Sequence, residues 1–205
     1  MMSGSAPNLL EPIPDIIKIC KIDDKGVHFP LKNKREILID PAPFPATIGT
    51  CPIIEANSCG LGPFGGNMDS PDLIPGSKLY VPVFVDGGLI FVRDVHYLQG
   101  EGELGGPALE VPTLTTLTID LIKNKKISWP RIENSEYIMT VGNTRPLDDC
   151  LRTASVEVVL MLEKEYGFDR WDASILLNTV SKLVIHQATN ALYSITCKFP
   201  KKYLK

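Results

Sequence analysis

Proline and glycine restrict the first half of this chain more than any other feature of its sequence. Together they account for 33 of the 205 residues, and most of them come before residue 113. Proline removes a backbone hydrogen-bond donor and glycine loses conformational entropy in a helix, so long helices are disfavoured there. The first half is therefore predicted to consist of short extended strands separated by turns.

The apolar and β-branched runs between these turns predict the strands themselves. They cover residues 15–20, 36–40, 47–54, 78–84, 89–96, 108–122 and 136–141. Asp86, Gly87 and Gly88 separate two of the runs, and these residue types tolerate the positive φ of a tight primed turn. Residues 78–96 are therefore predicted to form a β-hairpin.

The pattern changes after Pro146, where apolar residues begin to recur at three- and four-residue spacing. The recurring residues are Leu147, Leu151, Ala154, Val158, Met161 and Leu162. They predict a helix that ends at Gly167, and Asp169 is a suitable N-cap for a second helix over residues 170–182. Strand composition returns from Val184 onward. The predicted fold is α+β and mainly β, with sandwich- or barrel-like sheets and a C-terminal helical hairpin, in a single domain over residues 1–205.

Charge and hydropathy exclude several classes of partner. The net charge is -3 without long runs of one sign, so the chain lacks the basic surface that binds nucleic acid. No apolar stretch reaches the roughly 20 residues that span a bilayer, and the N-terminus does not resemble a secretory signal. We expect a cytoplasmic protein with no membrane or nucleic-acid partner. Five scattered cysteines without a C-x-x-C pair argue against a disulfide framework or a thiolate zinc site.

Residues 60–69 form a glycine-dense segment that ends in Asn67, Met68 and Asp69. Glycine is needed where the backbone is strained or approaches a ligand closely, which makes this segment a candidate binding loop. Its spacing matches neither a dinucleotide-binding fingerprint nor a phosphate-binding P-loop. A surface Ω-loop is the alternative interpretation.

A second candidate site begins at Asp94 and His96. Alternate residues of a strand share a face, so the carboxylate and the imidazole are expected to lie on one side, roughly 7 Å apart along the backbone. Glu101 and Glu103 repeat this spacing in the glycine-rich segment that follows. A histidine with converging carboxylates suits a hard or borderline cation such as zinc. Structural hydrogen bonding is the alternative, but the position at the end of an apolar strand favours a functional site.

These segments resemble the acetamidase/formamidase family. Residues 65–69 (GGNMD) are similar to its Gly-Gly-Asn-hydrophobic-Asp motif, and residues 79–89 to its Leu-x-Leu-Pro-Val strand and the turn after it. Residues 94–103 are similar to its Asp-x-His-x-x-Gln-Gly-Asp-Gly-Glu segment, and residues 108–110 to the Ala-hydrophobic-Glu that follows. The similarity keeps a consistent order over residues 44–199, after a divergent lead-in over residues 1–43.

The resemblance implies an amidohydrolase that cleaves the C–N bond of a short linear amide, such as formamide or acetamide, to a carboxylate and ammonia. It implies a divalent cation, zinc or alternatively calcium, held by Asp94, His96 and Asp69. Glu103 is the implied general base. The other implied site residues belong to the same motifs: Glu101 and Gln99 for catalysis, and Asn67, Gly65, Gly66 and Glu110 for substrate binding.

The sequence also departs from the family pattern. Glu101 stands where the family has Asp, Arg93 where it has Gly, and Lys182 where it has Asp. The family's N-terminal portion has no counterpart in the chain, so we expect a homo-oligomer or a complementary subunit that supplies it. The alternative function is a non-catalytic or diverged subunit that needs a partner chain for a complete site.

Overall fold

The computed structural model describes residues 17–204. In that part of the chain there are thirteen strands and two α-helices. Their order is β1 (Lys21–Asp23), β2 (Gly26–Pro30), β3 (Glu36–Ile39), β4 (Phe44–Gly49), β5 (Leu61–Gly62), β6 (Gly65–Asn67), β7 (Lys78–Tyr80), β8 (Phe91–Leu98), β9 (Leu109–Glu110), β10 (Arg131–Glu133), β11 (Tyr137–Thr144), α1 (Leu147–Tyr166), α2 (Arg170–Val180), β12 (Lys182–Gln187) and β13 (Tyr193–Pro200). The prediction of a mainly β fold with a helical pair is confirmed.

The described strands form three antiparallel sheets. One is a small sheet in the order β1-β2-β3. The second, which we call the helix-covered sheet, has the order β12-β13-β11-β10-β7. The third, which we call the glycine-rich sheet, has the order β5-β6-β4-β8-β9.

Two apolar cores hold these layers together. Helix α1 and helix α2 pack on β11 and β13 through buried residues that include Ala154, Leu162 and Phe199. On the other side of the helix-covered sheet, Met139 and Val141 contact apolar residues of the glycine-rich sheet and of the turn after β6. The helix-covered sheet is therefore the middle layer.

The helix boundaries follow the predicted signals. The Asp169 side chain accepts hydrogen bonds from the backbone N–H groups of Trp171 and Asp172, which caps α2. Gly167 adopts a left-handed conformation and ends α1. Gly142 lets α1 approach β11, because a Cβ there would lie 2.4 Å from the Cys150 carbonyl oxygen. Both predicted helices are confirmed.

The predicted hairpin over residues 78–96 is wrong. Strand β7 pairs with β10 of the helix-covered sheet, whereas β8 pairs with β4 of the glycine-rich sheet. Residues 81–90 pass from one sheet to the other. The Thr50 hydroxyl donates to the Pro82 carbonyl (2.6 Å), and the Cys51 N–H donates to the Gly88 carbonyl (3.0 Å), which fixes this crossing at the end of β4.

Other strand predictions need smaller corrections. The strand predicted over 108–122 is limited to Leu109–Glu110, and residues 111–122 have no strand assignment. The strand predicted over 47–54 begins and ends earlier, at Phe44–Gly49. Of the one predicted over 15–20, residues 15 and 16 lie outside the described chain and residues 17–20 are not in a strand. None of the helices between residues 17 and 204 has the length and apolarity to cross a membrane.

Candidate functional site

Three neighbouring strands of the glycine-rich sheet bring the predicted polar residues together. Strand register places Thr47 of β4 opposite Asn67 of β6, and Phe44 of β4 opposite His96 of β8. Asp69 follows β6 by two residues and is fully buried. The two candidate segments of the sequence are therefore adjacent in space.

The orientation of the His96 ring is fixed by Gln99. The Gln99 amide NH₂ donates to two backbone carbonyls, those of Asp69 (3.0 Å) and His186 (2.7 Å). Its carbonyl oxygen Oε1 therefore faces Nδ1 of His96 at 2.7 Å and accepts a hydrogen bond from the Nδ1–H group. In the neutral imidazole this leaves Nε2 without a proton, so that Nε2 is free to bind a cation.

Four carboxyl groups surround the Nε2 side of His96. Glu110 Oε1 lies 3.3 Å from Nε2, and the nearest oxygens of Glu103 and Asp94 each lie 4.0 Å away. Asp69, His96 and Glu103 form a buried group, and Asp94, His96 and Glu110 form a more exposed one. Within each group the possible ligand atoms lie within 4.8 Å of one another.

Burial and mutual repulsion change the acidity of these groups. Burial, followed by the charge of Glu103, raises the pKa of Asp69 to about 10. Burial also raises the pKa of Glu103 to about 7. Burial alone would lower the pKa of His96, but its contact with Glu110 outweighs this effect and the pKa is raised. The same contact lowers the pKa of Glu110.

The buried group fits a divalent cation. Oδ1 of Asp69 is buried and no donor among the described residues faces it. The neighbouring Glu103 carboxylate is also a hydrogen-bond acceptor. A hydrogen bond between Glu103 and Asp69 therefore forms only if one of the two carboxyl groups carries a proton. One imidazole nitrogen with carboxylate oxygens is a donor set for zinc, and the excess of oxygens also suits calcium.

Two residues that the sequence analysis missed support this group. Thr47 Oγ1 contacts Asn67 Oδ1 and lies 3.1 Å from Asp94 Oδ2. Asn67 in turn donates to Asp69 Oδ2 at 2.8 Å, and Asn190 donates to the same oxygen at 3.4 Å. Thr47 and Asn190 carry no local motif, because their positions depend on strand pairing and on a distant turn.

Three of the carboxylates stand on unusual backbone. Asp69, Asp94 and Glu103 have φ values of 50°, 63° and 44°, in the left-handed region that favours glycine. The sequence predicted that regular strand alternation places Asp94 and His96 on one face. The left-handed backbone at Asp94 breaks this alternation, although the two side chains do converge. Strained backbone of this kind is concentrated at functional sites.

The remaining predicted residues are placed differently. Glu101 is exposed and belongs to neither carboxylate group of the described chain. Gly65 and Gly66 are buried in β6, where a Cβ on Gly66 would lie 2.2 Å from the Gly60 carbonyl oxygen. Residues 61–67 form a buried hairpin of β5 and β6 and not a surface Ω-loop. The packing explains both glycines, and their substrate-binding role stays a prediction.

The fold and this centre together define a mainly β protein with a buried carboxylate–histidine site. Residues 62–179 match the Acetamidase/Formamidase family. That match covers more than half of the chain, and the chain belongs to this family.

Individual relatives agree with that assignment. The chain is 38% identical to the acetamidase of Mycolicibacterium smegmatis over 84 residues, which is 40% of this chain and 20% of that protein. It is similar to the crystal structure of acetamidase from Yersinia enterocolitica, with a TM-score of 0.89 at 36% identity, over 96% of this chain and 59% of that one. For the acetamidase from Bacillus halodurans the TM-score is 0.84 at 27% identity. That similarity covers 91% of this chain and 62% of the Bacillus halodurans chain. The chain thus spans about three fifths of these solved structures.

Proposed function

We propose that this chain hydrolyses short linear amides, formamide and acetamide first, to a carboxylate and ammonia. The observation that carries this proposal is the buried pair of Asp69 and Glu103 beside Nε2 of His96. Amide hydrolysis at the level of the family agrees with it. We expect His96, Asp94 and Asp69 to hold a divalent cation, zinc in the first instance and calcium as the alternative. Asp94 and Asp69 belong to different groups around His96, so the cation has to draw these two carboxylates together. When bound, such a cation polarises a carbonyl group and makes water more acidic.

Glu103 is proposed as the general base. Its pKa of about 7 lies near neutral pH, where a carboxyl group exchanges protons most effectively. The C–O bond forms as Glu103 takes one proton from the attacking water. The C–N bond of the resulting tetrahedral intermediate breaks as Glu103 returns that proton to the leaving nitrogen, which gives ammonia and a carboxylic acid that ionises in water. Glu110, with its lowered pKa, remains ionised beside His96.

Of the site residues, Asp94 lines a surface cavity. A cavity of about 420 Å³ lies between β8 and the segment after β9, and Arg93, Asp94, Val95 and Thr113 contribute to its lining. This volume has room for an amide of three or four heavy atoms and a water molecule. We infer that substrate reaches the centre through this cavity, with Asn67 held in place by Thr47.

Ammonia release measures this activity directly. Formamide, acetamide and the bulky control benzamide are incubated with the protein after EDTA treatment, and again after addition of zinc or calcium. We expect ammonia from the two small amides only when a cation is restored. Absence of ammonia under every metal condition, with the protein shown to be folded, rejects the enzymatic proposal for this chain alone.

A second candidate function is a subunit that needs a partner chain. Two observations favour it: the Glu110 side chain is 49% exposed, and the chain spans 59% of the Yersinia enterocolitica acetamidase. A homo-oligomer or a complementary subunit would cover the exposed side of the centre. Activity that appears only with such a partner present supports this function. A cytoplasmic location stays a prediction.

A further inference from the structure

A second cluster of charged residues lies outside the proposed centre. His186 of β12 is fully buried, and its Nε2 lies 3.4 Å from Asp72 Oδ2. Lys198 of β13 donates to the other oxygen of Asp72, and Thr196 Oγ1 lies 3.2 Å from His186 Nδ1. We call Asp72, His186 and Lys198 the Asp72 brace. The proposed hydrolysis uses none of these side chains.

The Asp72 brace joins the two backbone segments that hold Gln99. The Gln99 amide donates to the carbonyl of Asp69, in the turn that contains Asp72. It also donates to the carbonyl of His186 itself. Both carbonyls must therefore stay close to a single nitrogen, and the contact between Asp72 and His186 ties their segments together.

The same end of β12 also fixes the segment that carries Glu103. The Gly102 N–H donates to the Ile185 carbonyl at 2.7 Å, and the Ala188 N–H donates to the Gly102 carbonyl at 3.1 Å. A displacement of residues 185–188 would therefore move the partner of His96 and the proposed base together.

We propose that Asp72 is a positioning residue: through His186 it holds Gln99 in the orientation that keeps the proton of His96 on Nδ1. This role rests on the proposed function, because it matters for catalysis only if Nε2 of His96 binds a cation. Without the brace, the two carbonyls are held together less firmly, so the Gln99 amide rotates more readily to a position in which its NH₂ group faces Nδ1. The imidazole proton moves to Nε2, which can no longer act as a ligand.

The tautomer of His96 is measured by long-range ¹⁵N–¹H NMR of the imidazole rings, without metal or substrate and at alkaline pH where the ring is neutral. In the wild type we expect the Nδ1–H form. Asp72→Ala raises the ratio of Nε2–H to Nδ1–H by about fivefold or more, as expected when the buried hydrogen bond between Gln99 and His96 is weakened. Asp72→Asn keeps an acceptor for His186 and gives a smaller change in the same direction.

The matched control is Glu133→Ala. Glu133 of β10 also contacts a lysine, Lys201, at 2.7 Å just after the end of β13, but its contacts do not include Gln99. This variant is expected to leave the His96 tautomer unchanged. If Asp72→Ala does not fold, Asp72→Asn carries the test.

Either of two results overturns the proposal: a folded Asp72 variant with the wild-type tautomer ratio, or an equal shift in Glu133→Ala. Because neither metal nor substrate is present, inactivity towards amides does not affect this measurement. With zinc, loss of the Nδ1–H form is expected to weaken binding by about tenfold or more.

Discussion

The substitution Glu103→Gln separates the proposed chemistry from the stability of the fold. Glutamine keeps the size and hydrogen-bonding reach of Glu103 but cannot accept a proton at neutral pH. Loss of a general base lowers the rate of amide hydrolysis by roughly 100-fold or more. The same substitution removes a carboxyl group whose ionised form is disfavoured by burial.

The size of the stability effect follows from the two pKa values of Glu103. The pKa rises from 4.5 in the unfolded chain to about 7 in the folded one. Below pH 4.5 both states hold the proton, and burial carries no electrostatic penalty. As the pH rises from 4.5 to 7 the unfolded state releases its proton first, so the wild type loses stability. The loss is complete above pH 7 and amounts to about 3 kcal/mol.

We therefore expect Glu103→Gln to be more stable than the wild type at pH 8 in the presence of EDTA. For a chain of this length the difference corresponds to about 6 to 12 °C in the unfolding midpoint. Thermal unfolding of both proteins from pH 4 to pH 8 tests this. A difference that does not grow with pH, or a less stable variant at pH 8, refutes the account of Glu103 as a buried, disfavoured carboxylate. Retained amidase activity refutes its role as base.

The remaining predictions concern metal binding, one departure from the family and assembly. Purified protein is expected to bind a divalent cation at Asp94 and His96. Metal analysis with and without added zinc should show that His96→Gln loses the bound cation, whereas the control His28→Gln keeps it. Glu101→Asp should keep activity within about twofold, because Glu101 is exposed outside both carboxylate groups; a tenfold change in ammonia release would contradict this. Sedimentation at micromolar concentration should show an oligomer, because the segment after β9 exposes several apolar side chains, those of Leu114, Ile119, Leu121 and Ile122; a stable monomer would argue against it.

Local signals in the sequence predicted the helices better than the strand partners. The apolar stripe of α1 and the cap at Asp169 act within one or two turns, so they are readable along the chain. Pairing of β7 with β10 joins residues about fifty positions apart. The turn signal at residues 86–88 was correct in marking a change of direction, but it could not show that the chain enters a different sheet.

The candidate site shows the same limit. Asp69, Asp94, His96 and Glu103 were predicted from two segments, and the structure brings them around His96 in two groups, Asp69 with Glu103 and Asp94 with Glu110. Thr47 could not be predicted, because its contacts depend on the register between strands. The left-handed backbone of Glu103 was also unpredictable, because glutamate carries no signal for a positive φ, unlike glycine, asparagine or aspartate.

Those left-handed positions have a consequence for protein engineering. Glycine fits such backbone without the steric penalty of about 1 kcal/mol or more that other residues carry, and asparagine tolerates it well. Sorting a random library of this chain for heat resistance alone will therefore enrich glycine and asparagine at Glu103, because aspartate at the other two positions already tolerates such backbone. The enriched clones will resist heat and lose a carboxylate beside His96, so a screen for robust variants has to select for cation binding at the same time.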